Sequence, residues 1–445
     1  MKEQISSALL AQGLRWVRKN PEKNMIKLAD WAEHFVRHEY HRSHVAAYRK
    51  AVTSPGSNWH NFIMRIVREV DPKFLERFVR NFVIYSSWIG NGKIRKLRTE
   101  LDMNVPWAIL MDPTSACNLN CIGCWAAEYD KSSSLSYELM DRIITEGKDL
   151  GIYMYIYSGG EPLVKKEDIM KLAARHDDAM FAAFTNAVLI DEPFADEIAK
   201  HCNFIPIISI EGSEEHTDDR RGKGTYQACL RAMDILRSRK LPFGFSVCYH
   251  SKNTEDVGSD AWVDFMVDKG ALFGWYFTYI PEGKHADVRL MANPDQREFM
   301  YRRIRELRST KPVFLLDFWN DGEAVEGCIA GGKSYCHINA RGEMEPCAFI
   351  HYAATSIHDK SLLEALDNPL FREYHRRQPF TCNLLQPCPL LDNPDILNEM
   401  VKDSGAWSTQ EADREPVEEL TGKCVQAAQA WAPVAERLWR ESHRE

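Results

Sequence analysis

The densest chemistry in the chain is a set of three thiols, Cys117, Cys121 and Cys124, in the run Asp112-Pro113-Thr114-Ser115-Ala116-Cys117-Asn118-Leu119-Asn120-Cys121-Ile122-Gly123-Cys124-Trp125. An iron–sulfur cube normally takes four thiolates, so three in this C-x3-C-x2-C spacing leave one iron open to an exogenous ligand. An open iron implies reactivity. The competing reading is zinc, but zinc prefers four tetrahedral ligands and no nearby His or Cys supplies the fourth. A second, looser group comprises Cys328, Cys336, Cys347, Cys382 and Cys388, while Cys202, Cys229, Cys248 and Cys424 stand alone among apolar neighbours and read as packing thiols.

These groups sit in a chain of 445 residues, a prior of about three domains. Apolar residues make up 44% and charged residues 27%, which excludes disordered and collagen-like classes. The net charge of −8 removes the whole-chain basic excess of non-specific nucleic-acid binders, so no nucleic-acid partner is expected. No run approaches the roughly 18 apolar residues of a membrane span, and Met1-Lys2-Glu3-Gln4 opens an amphipathic segment rather than a signal peptide. The expected location is cytoplasmic, where twelve cysteines argue for metal ligands rather than disulfides.

The elements that must position the thiols follow from periodicity. Residues 1–104 read as a helical region: Ile5, Leu9, Leu10, Leu14, Trp16 and Val17, then Met25, Leu28, Trp31, Phe35 and Val36, recur at three- and four-residue steps. Within it, Trp59 to Arg98 combines apolar positions with Arg65, Arg68, Arg77, Arg80 and other basic residues. Such a stretch suits an anionic membrane surface, but a packed helical cover with arginines paired to Glu69, Asp71 and Glu76 is the favoured expectation.

From 105 to 310 short apolar runs alternate with amphipathic segments, the mark of repeated βα units around a parallel sheet. Strands are predicted at 107–111, 153–157, 180–184, 204–208, 243–247 and 275–279, with helices at 137–150, 166–175, 193–201, 226–238 and 296–308. Six units suit an α/β fold built as a partial (β/α)6 TIM-type barrel, and the first thiol group then lies at the carboxyl end of its first strand, where barrel chemistry gathers. Residues 311–400 form a small cysteine-rich extension, and 401–445 a helical tail with Pro433 as a kink or break.

On these residues the chain resembles the radical S-adenosylmethionine (SAM) enzymes, whose signature is this cysteine spacing after the first barrel strand. Ser158-Gly159-Gly160-Glu161-Pro162 after the second strand matches the family's glycine-rich element. The resemblance implies that Gly159, Gly160, Glu161 and Pro162 meet the methionine moiety of SAM. It also implies contacts from Asn186, Ser209, Glu211 and one or both of Arg220 and Arg221, the guanidinium fork suiting a carboxylate. One departure is that the residue before the third cysteine, usually aromatic in this family, is Gly123, with Trp125 after the motif. Glu211, Tyr249, Tyr276 and Tyr279 are expected toward the barrel interior as hydrogen-bonded lining.

The stretch from Cys328 through Gly342 to Cys347 resembles the start of SPASM and twitch extensions, which carry auxiliary clusters. Asn339-Ala340-Arg341-Gly342 supplies a hairpin turn that brings Cys328 and Cys347 together. Cys388 is the expected third ligand and Cys382 the preferred fourth, with Cys336 the alternative; a structural zinc is the competing occupant. The resemblance implies SAM, a catalytic 4Fe–4S cluster and one auxiliary 4Fe–4S cluster as cofactors, and flavodoxin or ferredoxin as electron donor. The expected reaction is hydrogen-atom abstraction from an unactivated C–H bond of a peptide or a lipid-like substrate. A non-catalytic iron–sulfur protein would have no use for the Gly-Gly-Glu-Pro element.

Overall fold

The computed structural model describes residues 12–35, 39–127, 129–283, 286–410 and 414–443. Ile5, Leu9, Leu10 and Val36, expected on helices, lie outside them, as do residues 411–413 of the expected helical tail. The six expected strands form, each within two residues of its predicted bounds: β1 (Ala108–Met111), β2 (Met154–Tyr157), β3 (Met180–Thr185), β4 (Phe204–Ser209), β5 (Gly244–Tyr249) and β6 (Phe273–Thr278). All pair in parallel in chain order. Both faces of such a sheet are covered, which is why the strands read as near-continuous apolar runs.

Two further parallel strands lengthen the sheet. β7 (Phe314–Asp317) adds beside β6, and β8 (Tyr335–Ile338) adds on the far side of β1, with the short β9 (Met344–Glu345) antiparallel to β8. The order is therefore β7-β6-β5-β4-β3-β2-β1-β8-β9. Backbone pairing of Ile109 with Cys336 joins the cysteine-rich segment to the barrel itself. The hairpin turn expected at 339–342 is present: Gly342, at φ +76°, donates to Asn339 O at 2.9 Å.

Helices pack the outer face, and their ends follow local chemistry. Ser136 caps the helix Tyr137–Leu150, Asp191 caps Glu192–His201, and Asn293 forms a capping box with Gln296 at the start of Pro294–Thr310. The main core lies between these helices and the outward strand residues, including Tyr155, Phe181, Phe204, Phe245 and Tyr276. A smaller inward cluster of Leu110, Ile156, Ala182 and Ile207 fills the barrel floor. The tail helix Val417–Ser442 runs unbroken through Pro433, so the helix does not break there. Its Trp431 is buried, donating to Leu385 O at 3.0 Å with the Arg297 guanidinium 4.1 Å from its ring.

The basic N-terminal segment is fastened to the barrel. Arg65 donates to Pro312 O at 2.7 Å and Val267 O at 3.1 Å, and Arg98 to Val105 O at 2.9 Å. Arg77 and Arg80 both pair with Asp177, across elements, rather than with Asp71 or Glu76; Asp71 instead caps the helix Pro72–Phe78. Only Arg65 keeps its expected partner, Glu69, at 3.2 Å. Among the described residues no helix is long and apolar enough to cross a membrane.

Candidate active site and second thiol pocket

Cys117, Cys121 and Cys124 leave β1 on one loop and line a single cavity of about 250 Å³ at the carboxyl ends of the strands. Gly159, Gly160, Glu161, Asn186, Ser209, Arg220 and Arg221 line the same cavity. Pro162 is buried beneath it and opens a short 3₁₀ turn, while Glu211 lies fully buried behind the two arginines.

The local geometry explains why these residue types stand there. Gly160 N–H donates to Thr114 O at 3.0 Å and Glu161 N–H to Ala116 O at 2.8 Å, so the glycine-rich segment pairs with the cysteine loop. A Cβ on Gly160 would lie 2.2 Å from Ala116 O, and one on Gly159, at φ +98°, would lie 2.6 Å from Thr114 O. The glycines are thus required by close approach of one backbone to another. Glu161 accepts from Thr185 Oγ1 at 2.7 Å, Asn186 N at 2.8 Å and Leu163 N at 3.0 Å. Burial outweighs these bonds and raises its carboxyl to about 7. Asn186 reaches across to Asn118 Oδ1 at 2.7 Å.

The arginines hold the other end of the loop. Ile122 N–H donates to Arg220 O at 2.8 Å, and the Arg220 guanidinium donates to Gly123 O at 3.2 Å. Arg220 and Arg221 both contact Glu211 Oε1, at 2.6 and 2.7 Å, while Oε2 accepts from Cys248 N at 3.0 Å. Burial alone would raise the Glu211 carboxyl, but the two guanidiniums hold it below its ordinary value. Arg220 Nε is buried without a partner.

Gly123 has φ +62°, and a Cβ there would lie 2.5 Å from Tyr279 Cε2. The ring absent at position 123 is thus replaced in space by Tyr279, which lines the cavity with its hydroxyl buried and unpartnered. Of the tyrosines expected inside, Tyr249 and Tyr276 instead face the helices, Tyr276 donating to Val257 O at 3.0 Å. Cys248, read as a packing thiol, lines the cavity; its place at the carboxyl end of a strand was the available signal.

Sequence reasoning also did not single out a buried ionic chain behind the loop. His337 on β8 lies between Asp112 (2.9 Å) and Glu345 (2.7 Å), all three fully buried. Burial would lower the imidazole pKa, yet the two carboxylates carry it up to about 10. Ser158 Oγ donates to Asp112 at 2.7 Å, linking β2 to β1 and, through His337, to the hairpin.

In the second group, Cys328, Cys347 and Cys388 line one small apolar pocket together with Trp319, Tyr335 and Phe349. Cys382 is exposed and lies outside that lining, and Cys336 is buried in the main core. The two cavities share Ile280, Phe318, Ile329, Tyr335 and Phe349 as a common wall.

The donor set fits an iron–sulfur cube. Three soft thiols line one largely apolar cavity, and burial pushes Cys121 up while the adjacent Arg221 and Arg220 favour its anionic form. Among the described residues no three His, Cys, Asp or Glu side chains are placed to share a single metal ion.

A parallel α/β barrel presenting three thiols on one loop beside a glycine-rich strand end defines an iron–sulfur enzyme of the open-cluster class. A model of the radical SAM superfamily matches residues 111–261, and an uncharacterized protein of Methanocaldococcus jannaschii is 31% identical over 244 residues, covering 52% of this chain and 78% of that protein. The chain belongs to the radical SAM superfamily: it is an enzyme that uses SAM and a 4Fe–4S cluster. The AdoMet-dependent heme synthase of Methanosarcina barkeri is 24% identical over 294 residues, covering 60% of this chain and 83% of the synthase. Among solved structures, Streptococcus suis SuiB bound to S-adenosylmethionine shares the fold, with a TM-score of 0.57 at 17% identity over 74% of this chain and 80% of SuiB.

Proposed function

We propose that Cys117, Cys121 and Cys124 hold the catalytic 4Fe–4S cluster with SAM at its open iron, and that the enzyme removes a hydrogen atom from a C–H bond of a substrate seated in the barrel cavity. The observation that carries this reading is the single cavity shared by the three thiols, the glycine-rich segment, Asn186, Ser209 and both arginines. Held there, a 4Fe–4S cluster with SAM would supply one-electron reductive cleavage of SAM and hydrogen-atom abstraction as its chemistry. Gly159 and Gly160 keep the loop at backbone contact distance. Glu161, with three of roughly four acceptor positions filled, retains one on Oε2 for the SAM ammonium. Arg220 Nε–H is a free buried donor for the SAM carboxylate or ribose, and Ser209 with Ser246 offers a hydroxyl pair 3.0 Å apart. Glu211 acts at one remove, as the counter-ion that positions both arginines.

Cys328, Cys347 and Cys388 are proposed to hold one auxiliary 4Fe–4S cluster, separated from the catalytic site by the shared aromatic wall. A flavodoxin or ferredoxin is the proposed electron donor, and a reducing cytoplasm suits twelve cysteines none of which is in a disulfide among the described residues. Anaerobic incubation with SAM and dithionite tests the reading. The enzyme is expected to release 5′-deoxyadenosine and to hold about eight irons, the sum of two four-iron clusters. Joint replacement of Cys117, Cys121 and Cys124 by Ala is expected to remove about half of the iron and abolish release. Full iron with continued SAM cleavage in that variant would refute the assignment.

A further inference from the structure

The cavity has two chemically different ends. Its charged lining, among the described residues, consists of Glu161, Arg220 and Arg221, all at the cysteine loop; each has internal partners, and what they leave open, Arg220 Nε and one Glu161 acceptor position, is assigned above to SAM. Most hydroxyl and amide groups at that end are engaged too: Ser158 with Asp112, Thr185 with Glu161, Asn186 with Asn118, and Ser209 with Ser246, while the Tyr279 hydroxyl has no partner.

The opposite wall is a connected set of rings. Phe184 lies 5.3 Å from Trp275 and 5.6 Å from Phe277; Phe277 lies 5.4 Å from Phe318 and 5.9 Å from Phe349, and Phe318 lies 5.9 Å from Tyr335. These rings come from β3, β6, the turn after β7, β8 and the segment after Cys347, so no single element's packing accounts for their convergence. Ring faces that met only one another would close the space, yet they border an open volume. A carboxylate, phosphate or ammonium placed against this wall would lose its water with no opposite charge to replace it, whereas a hydrocarbon would gain. A peptide backbone would bring a run of amides to a wall made of rings, where hydrocarbon faces offer them no hydrogen-bond partner.

We propose that the substrate portion entering the cavity is an uncharged hydrocarbon chain or ring of a lipid-like molecule, held by Trp275, Phe277, Phe318 and Phe349 with its reacting C–H bond between the two thiol groups. The proposal rests on the radical SAM reading of the same cavity and adds the substrate class. In the reaction, the substrate C–H bond breaks and the hydrogen with one electron joins the 5′ carbon, forming 5′-deoxyadenosine and leaving a carbon radical on the hydrocarbon.

The test uses the anaerobically reconstituted full chain with SAM and dithionite. It is incubated separately with the chloroform-extractable lipids and with the water-soluble peptides of native-host cells grown on deuterated medium. Deuterium in 5′-deoxyadenosine is read by mass spectrometry. Transfer from the lipid fraction at least tenfold above the peptide fraction is expected. Transfer from the peptides, or from neither fraction while 5′-deoxyadenosine is still released, overturns the substrate class. Absence of 5′-deoxyadenosine in every arm overturns the radical reading beneath it. In parallel, the neutral dye diphenylhexatriene is titrated into the wild type, Phe277→Leu and Phe277→Asp. Binding within threefold of wild type for Phe277→Leu and at least tenfold weaker for Phe277→Asp is expected; equal binding by all three proteins overturns the assigned wall.

Discussion

Replacing Gly160 by Ala perturbs the loop that carries the catalytic thiols without touching any thiol. The added Cβ would lie 2.2 Å from Ala116 O and 2.4 Å from Ser115 O, both backbone atoms that cannot rotate aside. Gly160 is not at positive φ, so the penalty is the contact alone. Restoring a distance of 3.0 Å requires the loop to retreat by roughly 0.8 Å. The shift falls one residue before Cys117 and loosens the bonds from Gly160 N–H to Thr114 O and Glu161 N–H to Ala116 O. Overpacking of this kind costs about 1–3 kcal/mol. A displacement near 1 Å in a reacting geometry costs about a hundredfold in rate, or about 2.7 kcal/mol of barrier. The assay is 5′-deoxyadenosine formation per bound iron, paired with thermal melting. Gly92→Ala is the control: position 92 is exposed on the helix Asn91–Leu101 with no atom within 4 Å, so it should turn over normally and melt no lower than wild type. A Gly160→Ala enzyme with the wild-type rate per iron and wild-type melting would refute the reasoning.

The pH dependence of stability has a definite sign at His337. Its pKa is raised by Asp112 and Glu345 to about 10, so its contribution is complete below about 6.5 and lost as pH rises through about 10; His351, raised by Glu282 to about 9, acts in the same direction. Melting temperature is therefore expected to fall between pH 7 and pH 10, and His337→Gln to destabilise by about 3–5 kcal/mol with a flatter profile; a wild-type melting temperature rising across that window contradicts this. Glu211→Gln leaves Arg220 and Arg221 without their buried counter-ion, so a stability loss of similar size and a raised KM for SAM are expected, measured by melting and by 5′-deoxyadenosine kinetics. Cys328→Ala, Cys347→Ala and Cys388→Ala are each expected to reduce iron from about eight toward four. Cys382→Ala should keep its iron, because that side chain is exposed outside the second pocket; loss of four irons there would return Cys382 to the ligand set.

The sequence by itself determined the first cysteine loop, its place after β1 and the alternation of strands and helices that carries it. These are local properties: apolar runs bounded by caps such as Ser136 and Asp191, and a thiol spacing that needs no distant partner. The tertiary structure decided which strand face is the lumen. In a sheet buried on both sides each face is apolar, so the two-residue alternation separates Cys248 and Phe277 from Tyr249 and Tyr276 but does not label the inward set. Closure also decided the long-range partners. Tyr279 meets Gly123, Asp177 receives Arg77 and Arg80, and β8 sets His337 between Asp112, the residue just after β1, and Glu345 on β9. Spacing alone could not tell Cys382 from Cys388, six residues apart, because the second pocket is assembled from separate segments, and their packing puts Cys388 in its lining and leaves Cys382 exposed outside it.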